Sequence, residues 1–441
     1  MPPIAPSSLN LAGRRVLVVG MARSGRAAAA LCVREGAAVT CTDLRTELDP
    51  VPGCRMALGA HDREDFLRAE LIVLSPGVPS TQPDLAAAVR AGVPVVGELA
   101  LAAERIRAPL VAVTGTNGKS TVTHFTGQLL AGAGSRCFVG GNIGRPLCEA
   151  LEGGTWDHVV AEISSYQLEW PGALAPAAGV VLNLTPDHLG RHGTMACYGD
   201  TKCRIFDSMA PGAAAILPFR DPLLVDLAGQ RGGRRLWIGA HPGVILDGET
   251  VLWDAGDGRR AQVSLAGMKV PGAHNRWNAA VATLLALEVG ADPARLHPEG
   301  LAALAHRMEV VGAVDGVTWI NDSKATNVAA ALTGLSGLGR PALALLGGDG
   351  KDGEDYGALA AALEGSPGVI CFGRSGPTIA AALASLRPRL VPGLEAAMVL
   401  ARRIARPGDA VVLSPACASF DEFDDFEHRG DVFRALVREM A

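Results

Sequence analysis

Residues 110–121 read LVAVTGTNGKST, a buried-strand pattern that leads into a Gly-rich turn, Lys119 and two hydroxyl residues where a helix is expected to begin. In such a loop, glycines let backbone N–H groups face phosphate oxygens, a lysine reaches the terminal phosphates, and a serine hydroxyl can hold Mg²⁺. A Walker A loop would have Gly at position 113, where this chain has Val113, so the loop is a shorter variant. The stretch predicts a P-loop ATPase-like domain that binds ATP. The predicted ATP contacts are Gly115, Thr116, Asn117, Gly118, Lys119, Ser120 and Thr121.

Upstream of this loop, strand-like and helix-like stretches alternate. The strand-like runs are 15–19, 38–42, 71–74 and 93–96, and the Ala-rich helical runs are 26–35 and 85–91. This βαβ rhythm predicts a Rossmann-like domain over residues 1–105. Its Gly-rich turn at 20–25 has Ala22 where a dinucleotide-binding fingerprint has Gly. An NAD(P)-dependent oxidoreductase therefore stays open as an alternative at this point.

Downstream, the P-loop domain is expected to extend over residues 106–303. Its apolar runs near Val159 and Val180 continue the sheet, 213–270 contains short β-like runs broken by Gly, Pro and Asp, and 275–289 is a predicted helix. From 304 to 441 the βαβ rhythm resumes, with strands expected near 317, 343, 369 and 411. The predicted fold class is α/β with three domains: Rossmann-like, P-loop ATPase-like and Rossmann-like.

The composition favours small-molecule chemistry in the cytoplasm. With 40 basic and 45 acidic side chains the formal charge is −5, which offers no footprint for nucleic acid or an anionic membrane. No apolar run approaches the roughly 18 residues of a membrane span, so no membrane insertion is expected. Nine cysteines are scattered without a CxxC pair, which predicts neither a disulfide framework nor a zinc ribbon.

Lysine is scarce in this chain. Of the 40 basic residues only five are Lys, at positions 119, 202, 269, 324 and 351. Arginine replaces lysine wherever only positive charge is needed, but it cannot replace an amine that must lose its proton or act as a compact point charge. The lysines that remain are therefore candidates for functional roles, the alternative being chance survival in a biased genome.

The loop GTNGKST is followed by four further strings: GGNIG at 140–144, AEISSYQLE at 161–169, NLTPDHLGRHG at 183–193 and YGDTKCRIF at 198–206. In order and spacing they resemble the Mur ligases and the related folylpolyglutamate synthetases. The resemblance implies an ATP-dependent amide-forming enzyme. In that reaction the γ-phosphoryl group activates a carboxylate as an acyl phosphate, which an amine attacks through a tetrahedral intermediate.

The resemblance also implies roles for individual residues. Lys119, Glu162, His188 and Lys202 would be catalytic, and two Mg²⁺ sites would use Ser120, Glu162, His188 and a carbamylated Lys202. Asn275 and Asn278 would contact adenine, Arg307 the phosphates when the last domain closes on ATP, and Asp322 the ribose. Only an amine that can be neutral reacts with carbon dioxide, so arginine could not replace Lys202.

Three strings in the last domain look like those of the family member that adds D-glutamate: TWINDSKATN at 318–327, LLGGDGKDGEDY at 345–356 and LSPACASFDEFDDFEHRGDVF at 413–433. The segment after Asn327 is about three residues shorter than in the usual family pattern, which predicts that the following helix start loses most of a turn. The implied contacts to D-glutamate are Lys324, Thr326, Lys351, Ser419 and Phe426. The implied contacts to UDP-N-acetylmuramoyl-L-alanine are Ser24, Asp43, Arg45, Ser75, Pro76, Gly77 and Asn142.

Several alternatives stay open on the sequence alone. The chain could be another Mur ligase, a folylpolyglutamate synthetase, the oxidoreductase considered above, or a nucleotide-binding regulator without enzymatic activity. A nucleotide sensor needs no carbamate and no catalytic groups. The regulator is therefore disfavoured by the presence of all four implied catalytic residues, Lys119, Glu162, His188 and Lys202. A monomer is expected.

Overall fold

The computed structural model describes residues 10–270, 272–351 and 353–440. Residues 1–9, which the first-domain prediction includes, lie outside this range. The chain forms two compact units. The first contains the described residues up to Ser264 together with Ala279–His297, and the second contains Leu265–Asn278 and the described residues from Pro298 onward. Within the described ranges, no helix combines the length and apolar character needed to cross a membrane.

The first sheet has five parallel strands in the order β3-β2-β1-β4-β5. It comprises β1 (Arg15–Val19), β2 (Ala38–Asp43), β3 (Cys54–Leu58), β4 (Leu71–Leu74) and β5 (Val95–Gly97). Its helices are α1 (Arg23–Arg34), α2 (Arg63–Arg68), α3 (Pro83–Arg90) and α4 (Glu98–Ala103). The strand order reverses between β1 and β4, and ligands of such sheets bind in the crevice beyond the carboxyl ends of the strands at that point.

The second sheet has nine strands in the order β14-β13-β12-β11-β10-β9-β6-β8-β7. It comprises β6 (Leu110–Thr114), β7 (Cys137–Gly141), β8 (His158–Glu162), β9 (Ala178–Val181), β10 (Ala214–Pro218), β11 (Arg234–Ile238), β12 (Gly243–Asp247), β13 (Thr250–Asp254) and β14 (Arg260–Ser264). Its helices are α5 (Lys119–Gly132), α6 (Leu189–His192), α7 (Met195–Cys203), α8 (Pro222–Ala228) and α9 (Ala273–Glu288). The central strand β6 is fully buried between β8 and β9, so the loop that follows it has a rigid base.

The third sheet has six strands in the order β15-β16-β20-β17-β18-β19, and only the β15–β16 pair is antiparallel. It comprises β15 (Glu309–Val314), β16 (Val317–Asn321), β17 (Leu343–Gly347), β18 (Val369–Phe372), β19 (Arg389–Leu390) and β20 (Ala410–Leu413). Its helices are α10 (Val328–Gly337), α11 (Gly376–Ala382), α12 (Leu394–Ile404) and α13 (Phe426–Met440). Buried apolar side chains pack on both faces of this sheet.

The predicted α/β class with three domains is confirmed, while the exact boundaries at 105/106 and 303/304 stay predictions. Several element bounds were wrong. The first helix begins at Arg23 and not at position 26, and the strand expected at 93–96 is Val95–Gly97. The broken region 213–270 contains five strands, three of which form an antiparallel ribbon at the sheet edge.

The predicted loss of most of a helical turn after Asn327, relative to the family pattern, stays a prediction. Helix α10 begins at the next residue, and the Asn327 side chain accepts a hydrogen bond from Ala330 N at 2.8 Å. This is the geometry of an N-cap, which satisfies one of the free N–H groups in the first turn. The shorter segment therefore has a capped helix start.

Candidate active site

The Gly-rich loop lies between the carboxyl end of β6 and the start of α5. Gly118 caps α5 in the left-handed region, with φ +84°, a conformation that glycine adopts without strain. The Asn183 side chain holds the loop from the neighbouring segment: its Oδ1 accepts hydrogen bonds from Thr116 N at 3.1 Å and Asn117 N at 2.8 Å. The N–H groups at the start of this 14-residue helix are positioned as in anion-binding loops.

Lys202 is buried directly beside this loop. Its side chain is among the largest that are fully buried, and its Nζ donates a hydrogen bond to Gly115 O at 2.8 Å. The same Nζ lies 4.4 Å from the centre of the Tyr198 ring. Burial, and then the nearby charge of Lys119, lower the pKa of Lys202 to about 6. A substantial neutral fraction of this amine therefore exists at physiological pH.

Glu162 ends strand β8 next to β6 and is 2% exposed. Its Oε1 accepts a hydrogen bond from Asn142 Nδ2 at 2.7 Å, while its buried Oε2 has no hydrogen-bond partner among the described residues. A buried carboxylate oxygen that accepts no hydrogen bond is costly unless a cation lies beside it. The position of Glu162 Oε2 therefore fits a bound metal ion. Ser120, in the first turn of α5, is also buried.

His188 lies on the segment after β9. Its Nδ1 is 3.1 Å from the Tyr166 hydroxyl, and its backbone has φ +53°. Within the ranges that the structure describes, no group of three or more His, Cys, Asp or Glu side chains is arranged to hold a metal ion. Any metal there would need oxygen ligands from the serine and from phosphates in addition to these side chains.

A cavity of about 390 Å³ opens beyond the carboxyl ends of β1 and β4. All seven residues predicted to bind the UDP-linked substrate line it: Ser24, Asp43, Arg45, Ser75, Pro76, Gly77 and Asn142. The turn at its floor is tight, because a Cβ on Gly25 would lie 1.9 Å from Gly20 O. The Arg45 guanidinium beside Asp43 holds the pKa of that carboxyl well below its usual range.

In the second unit, Asp322 follows strand β16 and is 4% exposed. It accepts hydrogen bonds from Ser414 Oγ at 2.7 Å and from Met308 N at 3.2 Å. Burial raises the pKa of Asp322 to about 7. Asn275 and Asn278 share one face of α9, where Asn278 Nδ2 donates to Asn275 Oδ1 at 3.2 Å.

The three strings of the last domain meet at one edge of the third sheet. Lys324 Nζ lies 5.2 Å from the centre of the Phe426 ring. Ser419 is 2% exposed, and the preceding Ala418 forms a backbone bridge with Asp349, two residues before the exposed Lys351. The predicted D-glutamate residues therefore belong to segments that contact one another.

Arg429, for which no sequence pattern predicts a role, holds these segments together. It is fully buried, and its guanidinium donates to Ser323 Oγ at 2.9 Å and Ser323 O at 2.8 Å. It also donates to Cys417 O at 3.0 Å and Ala418 O at 3.1 Å. Burial lowers the pKa of Arg429 to about 10, so the guanidinium is charged at physiological pH.

Asn183 and Arg429 are the clearest residues that the sequence analysis missed. Asn183 lies in the string at 183–193 and Arg429 in the string at 413–433, but one asparagine, or one arginine in a chain with many arginines, carries no separate signal. Their importance follows from hydrogen bonds to backbone groups of residues distant in sequence, which spacing does not reveal.

Three family models match the chain: a Mur ligase MurD-like N-terminal domain at residues 14–97, a Mur ligase middle domain at 113–286, and a Mur ligase glutamate ligase domain at 306–417. The chain belongs to the Mur ligase family. Within this family it is similar, over nearly its full length, to proteins named UDP-N-acetylmuramoylalanine–D-glutamate ligase.

Three such relatives come from Pelotomaculum thermopropionicum, Anaeromyxobacter dehalogenans and Myxococcus xanthus. The first is 41% identical, over 96% of this chain and 97% of the relative. The second is 42% identical, over 98% of this chain and 99% of the relative. The third is 40% identical, over 98% of this chain and 100% of the relative.

Solved structures share the fold at much lower identity. The UDP-N-acetylmuramate–alanine ligase of Thermotoga maritima matches with a TM-score of 0.60 at 18% identity, over 97% of this chain and 100% of that one. A MurF ligase of the same organism, solved in complex with ADP, matches with a TM-score of 0.60 at 16% identity. The match covers 98% of this chain and 100% of the MurF chain. A bifunctional folylpolyglutamate synthase/dihydrofolate synthase matches with a TM-score of 0.56 at 18% identity. The match covers 77% of this chain and 92% of the synthase chain.

Proposed function

We propose that this chain joins D-glutamate to UDP-N-acetylmuramoyl-L-alanine, using ATP and Mg²⁺ and releasing ADP and phosphate, in the synthesis of peptidoglycan precursors. The near full-length similarity to D-glutamate ligases supports the reaction class and both substrates. The oxidoreductase alternative loses its support, because the first domain matches a Mur ligase domain.

The observation that carries the proposal is the buried amine of Lys202 at 2.8 Å from the carbonyl of Gly115. A P-loop that only binds ATP has no need for an internal lysine of lowered pKa beside it. We propose that the neutral Nζ attacks carbon dioxide and loses a proton, which yields a carbamate anion. This step converts a neutral amine into an anion beside the phosphate loop.

The chain's own groups have distinct tasks in the proposed reaction. The loop residues 115–121 bind the ATP phosphates through backbone N–H groups, and Lys119 adds positive charge near the transferred group. Asn142 orients Glu162 and contacts the substrate close to its reacting carboxylate. Activation as an acyl phosphate is needed because a carboxylate does not react with an amine at neutral pH, and fixed charges stabilise the tetrahedral intermediate that follows.

The residues for Mg²⁺ and for the rest of ATP follow from the family resemblance. We propose two sites that use Ser120, Glu162, His188 and the carbamate on Lys202, and the unpartnered Glu162 Oε2 supports a cation there. When bound, Mg²⁺ offsets negative charge on the phosphates. Asn275 and Asn278 would contact adenine, Arg307 the phosphates and Asp322 the ribose.

D-Glutamate would bind to the last domain through Lys324, Thr326, Lys351, Ser419 and Phe426. Two ammonium groups suit a dicarboxylate. Arg429 supports this assignment, because it ties Ser323 of the first string to the carbonyls of residues 417 and 418 before Ser419. We also propose that the protein acts as a monomer and, on the basis of its composition, that it is cytoplasmic.

The test is phosphate release from ATP with UDP-N-acetylmuramoyl-L-alanine present. We expect release to depend on D-glutamate, and to be absent with L-glutamate or with a diamino acid. Release that depended on a diamino acid would indicate another Mur ligase. Release with L-glutamate and a folate would indicate a folylpolyglutamate synthetase, and binding of ATP without any turnover would indicate a regulator.

A further inference from the structure

The cavity of about 390 Å³ contains a charged side chain that no prediction used. Arg23 is the first residue of α1 and lines this cavity. Its Nη1 donates a hydrogen bond to Gly144 O at 3.4 Å, in the GGNIG loop of the second sheet. Arg23 therefore faces the space between the first-sheet turn and the loop that carries Asn142.

The charges in this cavity do not balance. Asp43 and Arg45 also line it, but they neutralise each other through two hydrogen bonds, Arg45 Nε to Asp43 Oδ1 at 3.0 Å and Arg45 Nη2 to Asp43 Oδ2 at 2.9 Å. Among the described residues, Arg23 has no carboxylate within ion-pair distance. The cavity thus has an excess positive charge, which an anionic group of the ligand can neutralise.

The start of α1 adds to this positive potential. The N-cap residue is Ala22, whose side chain makes no capping hydrogen bond, so the N–H groups of the first turn have no side-chain acceptor. Such a helix start favours an anion, and here it lies beside a guanidinium that can donate two parallel hydrogen bonds to phosphate oxygens.

A second cavity, of about 580 Å³, indicates how a UDP-linked substrate would be oriented. It shares Gly20, Asp43, Gly77 and Val78 with the first cavity, and its other lining residues, among them Leu44 and His61, also belong to the first domain. Of the two, only the first cavity reaches the GGNIG loop. The reacting end of the substrate must approach Asn142 and Glu162, so the nucleoside belongs in the second cavity. The diphosphate then lies between them, over the turn 20–25.

We infer that Arg23 binds the diphosphate of the UDP-linked substrate and is a main source of the charge that selects a diphosphate at this place. This inference rests on the proposed function. A diphosphate diester carries two negative charges; the Asp43–Arg45 pair contributes almost no net charge, whereas Arg23 and the α1 start contribute positive potential. Arg23 would exchange its long hydrogen bond to Gly144 O for charge-assisted bonds to phosphate.

The experiment compares uridine, UMP and UDP as ligands of the full chain by equilibrium titration. The variants are Arg23→Gln and Arg23→Lys, with Arg90→Gln as a matched control, because Arg90 is exposed at the end of α3 and lines neither cavity. For Arg23→Gln we expect UDP affinity to fall by about 10-fold to 100-fold, as for the loss of a charge-assisted contact. Uridine affinity should change by less than about twofold, and Arg23→Lys should retain part of the UDP affinity.

Steady-state kinetics supply the second readout. For Arg23→Gln, KM for the UDP-linked substrate should rise while kcat and KM for ATP stay close to the wild-type values, because the contact is made equally in ground and transition states. An equal loss of uridine and UDP affinity would overturn the inference, as would an unchanged UDP affinity. A wild-type chain that bound no UDP and showed no turnover would overturn the proposed function as well, whereas wild-type turnover with an unaffected variant would overturn only the role of Arg23.

Discussion

At the scale of single residues, Lys202 is the side chain whose environment is hardest to explain by packing. A buried ammonium is costly, and burial together with Lys119 lowers its pKa to about 6. We predict that Lys202→Ala lowers kcat by about 100-fold or more, since it removes a fixed charge beside the phosphates. Added formate, acetate or propionate should restore part of the activity, because a small carboxylate can occupy the place of the carbamate. The measurement is phosphate release at saturating substrates.

The matched control is Lys269→Ala, which removes an exposed lysine and should leave activity and its response to carboxylates unchanged. Lys202→Arg should be as inactive as Lys202→Ala, because a guanidinium forms no carbamate. Full activity of Lys202→Ala without any added carboxylate would rule out the proposed role.

The sequence pointed to Lys202 and not to Arg23 or Arg429 for a simple reason. Lysine is scarce in this chain, so each one is informative, whereas arginine is abundant and an individual arginine is not. What distinguishes Arg429 is that its guanidinium meets four acceptors from residues 323, 417 and 418. That convergence exists only after the third sheet has formed.

At the scale of elements, the sequence predicted the buried strands well and the exposed ones poorly. β6, β17 and β20 are continuous apolar runs and were recognised as strands. β3, with the sequence Cys-Arg-Met-Ala-Leu, is a half-exposed edge strand without strict alternation, and it was missed. Segment length alone also does not show whether the Asn327 side chain caps α10, which the structure shows that it does.

Helix α4 carries an acid at its first position that should make stability depend on pH. Glu98 is 1% exposed, and its Oε1 accepts a hydrogen bond from Cys148 N at 2.6 Å, while its buried Oε2 has no partner among the described residues. Burial raises the pKa of Glu98 from 4.5 to about 7. Between these values the unfolded chain loses the proton and the folded chain keeps it, so stability falls as pH rises, by about 3 kcal/mol at most.

Urea unfolding at about pH 5 and about pH 8 measures this contribution. Glu98→Gln should lose less stability than the wild type over this interval, because its amide does not titrate. Glu47→Gln, which changes an exposed acid of the same domain, should follow the wild type. An equal pH dependence in the wild type and in Glu98→Gln would contradict the prediction.

At the scale of the whole molecule, the proposed substrate contacts divide between the two compact units. The residues proposed for the UDP-linked substrate all belong to the first unit, and those proposed for D-glutamate all belong to the second. We predict that UDP slows hydrogen exchange at backbone amides of residues 20–26, 75–78 and 141–145, the segments that supply most of the lining of the first cavity. Exchange in 322–326 and 417–419 should not change. Uridine at equal saturation should leave 22–26 unprotected, because it lacks the diphosphate that the α1 start would bind. Protection by UDP confined to the second unit would refute the assignment of this cavity to the UDP-linked substrate.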